Sequence, residues 1–266
     1  MQVEQFFANL WQDYTAITPQ AQQIHALFIQ RGETVINDHV AFRGFSDSPI
    51  DLAHLEPLIL SLVYGRQDEY CFEKKKLIAR SYQHSDPQAP LIFVSELQRH
   101  LLSAAAQNIL AGLVSQIKPD AVADASVFYQ GLLWAPITYA DYQLLSDESE
   151  YAGWLASLGL RANHFTVSLN HLQGEPEMQA VVDLLLDNDY AINQVGGAIK
   201  GVPSDLLVQS STMADQIDMT FACGTTAKVP SCFYEFARRY NDANGKVFKG
   251  FLAANADKIF ESTHRQ

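Results

Sequence analysis

The chain has 266 residues, a formal net charge of -12 and a pI near 5.0, a balance that argues against nucleic acid or an anionic membrane as partner. Hydrophobic residues make up 48% and the mean hydropathy is -0.06, ordinary for a globular protein and too apolar for extensive disorder. Cys71, Cys223 and Cys232 lack metal-ligand spacing and read as reduced thiols of a cytoplasmic protein; Met1–Glu4 shows no basic start or signal core, and no apolar run approaches membrane-spanning length.

Phe6, Phe7, Leu10 and Trp11 predict a helix from Val3 to about Tyr14, and Thr18-Pro19 starts a second that turns Ile24, Leu27 and Phe28 inward. The run Asn37-Asp38-His39-Val40-Ala41-Phe42-Arg43-Gly44-Phe45 alternates as a strand, Val40 and Phe42 on one face, His39, Ala41 and Arg43 on the other. An imidazole and a guanidinium on one face suit the wall of a site. Ser48-Pro49 with Asp51 opens a helix expected to reach Tyr64 and stop at Gly65. Tyr70 to Tyr82 reads as one strand whose Glu73-Lys74-Lys75-Lys76 cluster is a solvated stretch, and Pro90–Val94 as a short buried strand. Ser95 is expected to cap a long alanine-rich helix reaching about Ile117.

Residues 118–146 read as irregular with short helical pieces, and Asp147–Leu158 as a helix closed by Gly159. A second histidine-bearing strand runs from about Arg161 to Asn170 and includes Asn163-His164-Phe165-Thr166. Glu175–Asp187 is amphipathic, and four strands are expected after it: Ala191–Ile199, Asp205–Ser211, Gln216–Ala222 and Val229 to about Arg238, the last two joined by the turn Cys223–Thr226. The tail from Asn244 holds one more helix and is expected to be peripheral.

That order contains a faint repeat, in which a strand opened by a histidine is followed by a helix and more strands. The expected architecture is therefore α+β: paired β-α-β-β-β modules forming a cupped mixed sheet, with added helices. The chain is read as a single domain, with N-terminal helices at 1–33, modules at about 34–95 and 161–240, a helical insertion at about 96–160 and a tail at 241–266. Such pairing gives His39 and His164 related positions. Glu235, alone among large apolar residues, either pairs with Arg238 or Arg239 or binds a cation, since an unpaired buried carboxylate is costly. Two imidazoles and a carboxylate on three strands form the triad that suits non-haem Fe(II).

The chain resembles the 2-oxoadipate dioxygenase/decarboxylase family, also called 2-hydroxyglutarate synthases. The resemblance rests on His39-Val40-Ala41-Phe42-Arg43, on His164 opening a strand, on Leu206–Asp215 with its Gln-Ser-Ser-Thr-Met-Ala-Asp run, and on Tyr234-Glu235-Phe236. It implies a fold similar to the vicinal oxygen chelate superfamily, with Fe(II), or another divalent metal as isolated, held by His39, His164 and Glu235. Arg43 would bind a substrate carboxylate, and Gln209, Ser210 and Ser211 are candidates to line the pocket. The implied partners are a small 2-oxo acid and dioxygen, and the implied reaction turns a 2-oxoadipate-like acid into a 2-hydroxyglutarate-like acid and carbon dioxide. Members of the family use a further C-terminal segment to complete the pocket, whereas this chain ends soon after its glutamate-bearing strand. The rival readings are another metal enzyme of the same fold (an isomerase, lyase or hydrolase) and a ligand-binding relative without catalysis.

Overall fold

A computed structural model describes residues 2–263. Helix α1 (Val3–Ile17) buries Phe6, Leu10 and Tyr14 at helical spacing, and α2 (Pro19–Gln30), begun by its proline, buries Ala21, Ile24 and Phe28. Strand β1 (Asn37–Phe45) follows. Helix α3 (Leu52–Leu60) is capped by the Asp51 carboxylate on the His54 N–H and ends short of Tyr64, because Val63 takes a positive φ and Tyr64 already opens β2 (Tyr64–Phe72). The single strand expected over Tyr70–Tyr82 is instead a hairpin. β2 turns through Glu73–Lys75, with Lys76 left-handed, into β3 (Leu77–His84). Strand β4 (Leu91–Leu97) runs past Ser95, and it is Ser103 that caps α4 (Ala104–Val114).

Residues 118–146 contain short 3-10 turns, Pro119–Val122 and Ala125–Tyr129, and then most of α5 (Tyr139–Glu148). Ser149 breaks what the sequence suggested was one helix from Asp147, capping a new one, α6 (Glu150–Leu158), through the Ala152 N–H. Gly159 closes α6 at a φ of +78°, and a Cβ there would meet the Gly131 carbonyl oxygen at 2.1 Å. Then come β5 (Ala162–Ser168), α7 (Met178–Leu186) and β6 (Leu207–Ser211). No strand forms over Ala191–Ile199; only isolated bridges, Ile192 to Thr212 and Lys200 to Gln209, flank that stretch. The Cys223–Thr226 turn joins β7 (Gln216–Thr220) to β8 (Thr226–Pro230) in a separate hairpin, and β9 (Phe233–Arg239) returns to the main sheet. The last helix is α8 (Ala253–Ile259).

The main sheet has seven strands in the order β2-β3-β4-β1-β5-β9-β6. One full β-α-β-β-β module and a second with only three strands in the sheet are visible in it. The first is β1-α3-β2-β3-β4, complete and with β4 parallel to β1; the second is β5-α7-β6-β9, with β9 parallel to β5 and the β7–β8 hairpin extruded. The modules join where β1 lies antiparallel to β5. The face bearing Val40, Phe42, Phe165 and Phe236 is packed by aromatic side chains of α1, α2 and the Ala125–Tyr129 turn: Phe42 meets Phe128 at 4.6 Å between ring centres, Phe165 meets Trp11 at 5.2 Å, and Phe236 meets Phe28 at 6.1 Å. The opposite face carries His39, Arg43, His164 and Glu235, as the period-two alternation requires. Among the described residues, no helix is long and apolar enough to cross a membrane.

Candidate metal centre

Register assembles the centre. Ala41 lies opposite His164, His39 opposite Thr166, and Thr166 opposite Glu235, so neighbouring strands deliver two imidazoles and a carboxylate to one spot. Their ligand atoms all lie within 4.8 Å of one another. Nε2 of His39 is 3.6 Å from Glu235 Oε1, and Nε2 of His164 is 3.2 Å from Oε2. The histidines are 2% and 4% exposed and the glutamate 1%.

The groups behind these donors fix how they point. A register shift in β1 between Asn37 and His39 re-aims the strand, so that Asp38 shares a side with its neighbour and its Oδ1 lies 2.7 Å from His39 Nδ1. Asp38 is in turn clamped by Arg239, whose Nε and Nη2 donate to Oδ2 and Oδ1 at 2.7 and 2.9 Å. An acceptor at Nδ1 places the proton there and leaves the Nε2 lone pair facing inward. Asn163 Oδ1 stands 3.2 Å from His164 Nδ1 and does the same more loosely. Gln209 donates from Nε2 to Glu235 Oε1 at 2.6 Å and accepts from Asn255 at its own amide oxygen.

Electrostatics at the centre favour a bound cation. Burial pushes the Glu235 carboxyl above the ordinary range, with His39 pulling it back, and burial also pushes His164 well below its usual value, helped by the charges of His39 and Arg43. Burial alone would raise Asp38, but Arg239 and His39 hold it well below the usual carboxylate range. Neither arginine considered as a partner for Glu235 reaches it, since Arg239 is taken by Asp38 and Arg238 by Glu177. Glu235 Oε2 has no hydrogen-bond donor. A buried oxygen without a donor, facing two imidazole nitrogens oriented from behind, fits a divalent cation of borderline character.

Arg43 is 1% exposed and lies further along β1, between the rings of Tyr151 and Trp154, each 4.8 Å from its guanidinium carbon. It donates to Glu150 Oε1 at 2.7 Å, its ion-pair partner, and to Thr263 Oγ1 at 2.9 Å. Gln209 and Ser211 share the metal face, whereas Ser210 points to the other side of β6 and donates to the Ala198 carbonyl. Ser211 meets Ser262 at 2.9 Å. The tail is not peripheral. Phe251 stands edge-on to His39 at 4.8 Å, Asn255 bonds Gln209, and Thr263 bonds Arg43. Lys200, fully buried, donates to the Asn193 carbonyl at 2.5 Å; burial brings its ammonium down to about 8 while the Glu235 charge opposes that. Neither the burial of Lys200 nor the tail contacts carried a signal in the sequence.

The family model for 2-oxoadipate dioxygenase/decarboxylase matches residues 6–246. A curated relative, the chloroplastic/amyloplastic 2-oxoadipate dioxygenase/decarboxylase of Oryza sativa subsp. japonica, is 33% identical over 280 residues, covering 96% of this chain and 77% of its own. A crystal structure from Shewanella frigidimarina NCIMB 400, carrying the name hydrolase, is 43% identical with a TM-score of 0.90, covering 95% of this chain and 98% of its own. The Oryza sativa hydroxyglutarate synthase in complex with 2-oxoadipate is 31% identical with a TM-score of 0.89, covering 98% of this chain and 91% of its own.

Proposed function

This chain belongs to the 2-oxoadipate dioxygenase/decarboxylase family, and on that premise we propose that it takes a 2-oxo dicarboxylic acid of the 2-oxoadipate kind and dioxygen to the 2-hydroxy acid one carbon shorter and carbon dioxide, with Fe(II) held by His39, His164 and Glu235. The observation that carries the proposal is the buried His-His-Glu convergence with its donor-less glutamate oxygen. Bound there, the metal would supply chelation of the 2-oxo acid and activation of dioxygen.

The protein's own groups do the rest. Asp38 and Asn163 hold the two imidazoles in the tautomer and orientation that ligation needs, and Gln209 holds the carboxylate. Phe251 packs edge-on against His39 beside the almost wholly buried donors, and burial of that kind strengthens the charge interactions at the centre. Arg43, four residues along the strand from His39 and so about 13 Å away at its Cα, is placed to read the far carboxylate of an extended diacid. A planar guanidinium can grip that carboxylate with two parallel bonds. The unpaired cysteines, two exposed and one buried, support a reducing compartment, for which we propose the cytoplasm.

Anaerobic reconstitution with Fe(II), followed by oxygen uptake and carbon dioxide release across a panel of 2-oxo acids, tests the proposal. One-to-one coupling with a diacid is expected. Carbon dioxide release at full rate without oxygen would reject it in favour of a simple decarboxylase, and full metal occupancy in alanine variants of all three ligands would remove the centre itself.

A further inference from the structure

We infer that Glu150 is a resident carboxylate on Arg43, which the far carboxylate of the substrate must displace, and that this exchange sets how strongly the enzyme prefers diacids. The inference rests on the reading of Arg43 as the carboxylate reader. Arg43 is almost fully buried, yet its Nε has no acceptor, so its donor capacity is not used up by the groups around it. Its Nη1 is held by Glu150 Oε1 at 2.7 Å and its Nη2 by Thr263 Oγ1 at 2.9 Å, and Thr263 also donates to that same Glu150 oxygen. A second carboxylate arriving at the guanidinium would put two like charges within a few ångströms of one another in a site walled by Tyr151 and Trp154. That arrangement is unfavourable unless one anion leaves.

Glu150 has somewhere to go. Unlike Arg43 it is 18% exposed, and it is the first residue of α6. It lines a cavity of about 240 Å³ whose other charged residues are Lys74, Lys75 and Lys76 and the acids Asp147, Glu148 and Glu261. Lys75 is paired with Glu261 at 2.5 Å, whereas Lys76 only approaches Glu148 at 3.9 Å and Lys74 is exposed. A rotation of the Glu150 side chain toward these lysines exchanges one cation for another and frees the arginine for substrate. The lysine turn between β2 and β3, which reads in the sequence as a solvated stretch, becomes the counter-charge of the displaced state.

The test is binding without turnover. Fe(II)-loaded protein is titrated under argon by calorimetry, with a thermal melt in parallel, using 2-oxoadipate and the monoacid of equal length, 2-oxohexanoate. Glu150→Gln is expected to tighten 2-oxoadipate by roughly tenfold, the equivalent of about 1.4 kcal/mol, to leave 2-oxohexanoate unchanged, and to show a larger melting rise with the diacid than wild type. Lys75→Met, which keeps Glu150 but removes a partner for its displaced form, is expected to weaken the diacid alone. Glu150→Gln protein with diacid affinity equal to or below wild type, or Lys75→Met protein binding both acids as wild type does, would overturn the inference. A wild-type protein that makes no distinction between the two acids would instead overturn the reading of Arg43 on which it stands.

Discussion

Replacing Glu235 by glutamine should stabilise the metal-free protein while abolishing its response to metal. At 1% exposure the wild-type carboxylate has one oxygen bonded by Gln209 and the other without a donor, 3.2 Å from His164 Nε2. A glutamine keeps the bond from Gln209 at its carbonyl oxygen and turns its amide N–H toward that imidazole nitrogen. The change removes a buried negative charge and adds a hydrogen bond, which together are worth about 1–3 kcal/mol. For a chain of this size each kcal/mol moves the melting temperature by about 2–4 °C. The pH dependence has a definite sign. Burial raises the folded-state pKa of Glu235 above its unfolded value, so its contribution is fully present below the unfolded pKa and is lost as pH rises through the folded one. The advantage of the variant should therefore be largest at neutral pH and shrink on acidification. Calorimetric melts of chelator-treated protein between pH 5 and 8, repeated with Mn(II) or anaerobic Fe(II), measure both effects. A variant that melts below wild type when metal-free, or that still gains stability from metal, would refute this account of the centre.

Asp38→Asn should lower metal affinity about 10–100-fold by loosening the His39 imidazole, and denaturant titration should show a loss of about 3–5 kcal/mol because Arg239 remains buried without its carboxylate. Arg43→Lys should retain metal and fold but lose about 2–3 kcal/mol of transition-state binding for the diacid, while steady-state rates with 2-oxohexanoate hold; an equal loss on both substrates would return Arg43 to a structural role. Phe251→Ala should cost about 1–3 kcal/mol of burial and speed metal loss to a chelator, measured as the rate of release.

What the sequence made legible was whatever a local pattern could carry. The alternation in β1 and β5 placed His39 and His164 on one face, and the lone carboxylate in an apolar strand marked Glu235. The paired-module topology follows from that repeat. The misreadings share a cause in short-range signals. Tyr70–Tyr82 looked continuous because nothing in Glu73-Lys74-Lys75-Lys76 marks a turn in the usual way: the left-handed residue is Lys76, with no glycine or asparagine to announce it. Ser95 resembled a helix cap because serines serve both strands and caps, and its place in β4 is decided by pairing with β1 and β3. Asp38 was invisible as a positioning group because strict alternation sends it to the wrong face; only the register shift brings it beside His39. Contacts of the tail depend on how a segment far along the chain lies across a finished sheet, and no periodicity records that.

The three donors stand on β1, β5 and β9, and the cover over them comes later still in the chain. This gives the centre a history during synthesis. When the first module has left the ribosome it carries a single imidazole donor and can hold no ion with useful affinity; a second donor arrives with β5, and the set closes only when β9 slots between β5 and β6. Pairings so distant in sequence are slow to form, so the donor set is among the last features of the sheet to be completed. Phe251 and Asn255, later again in the chain, lie against a donor set that only the finished sheet completes.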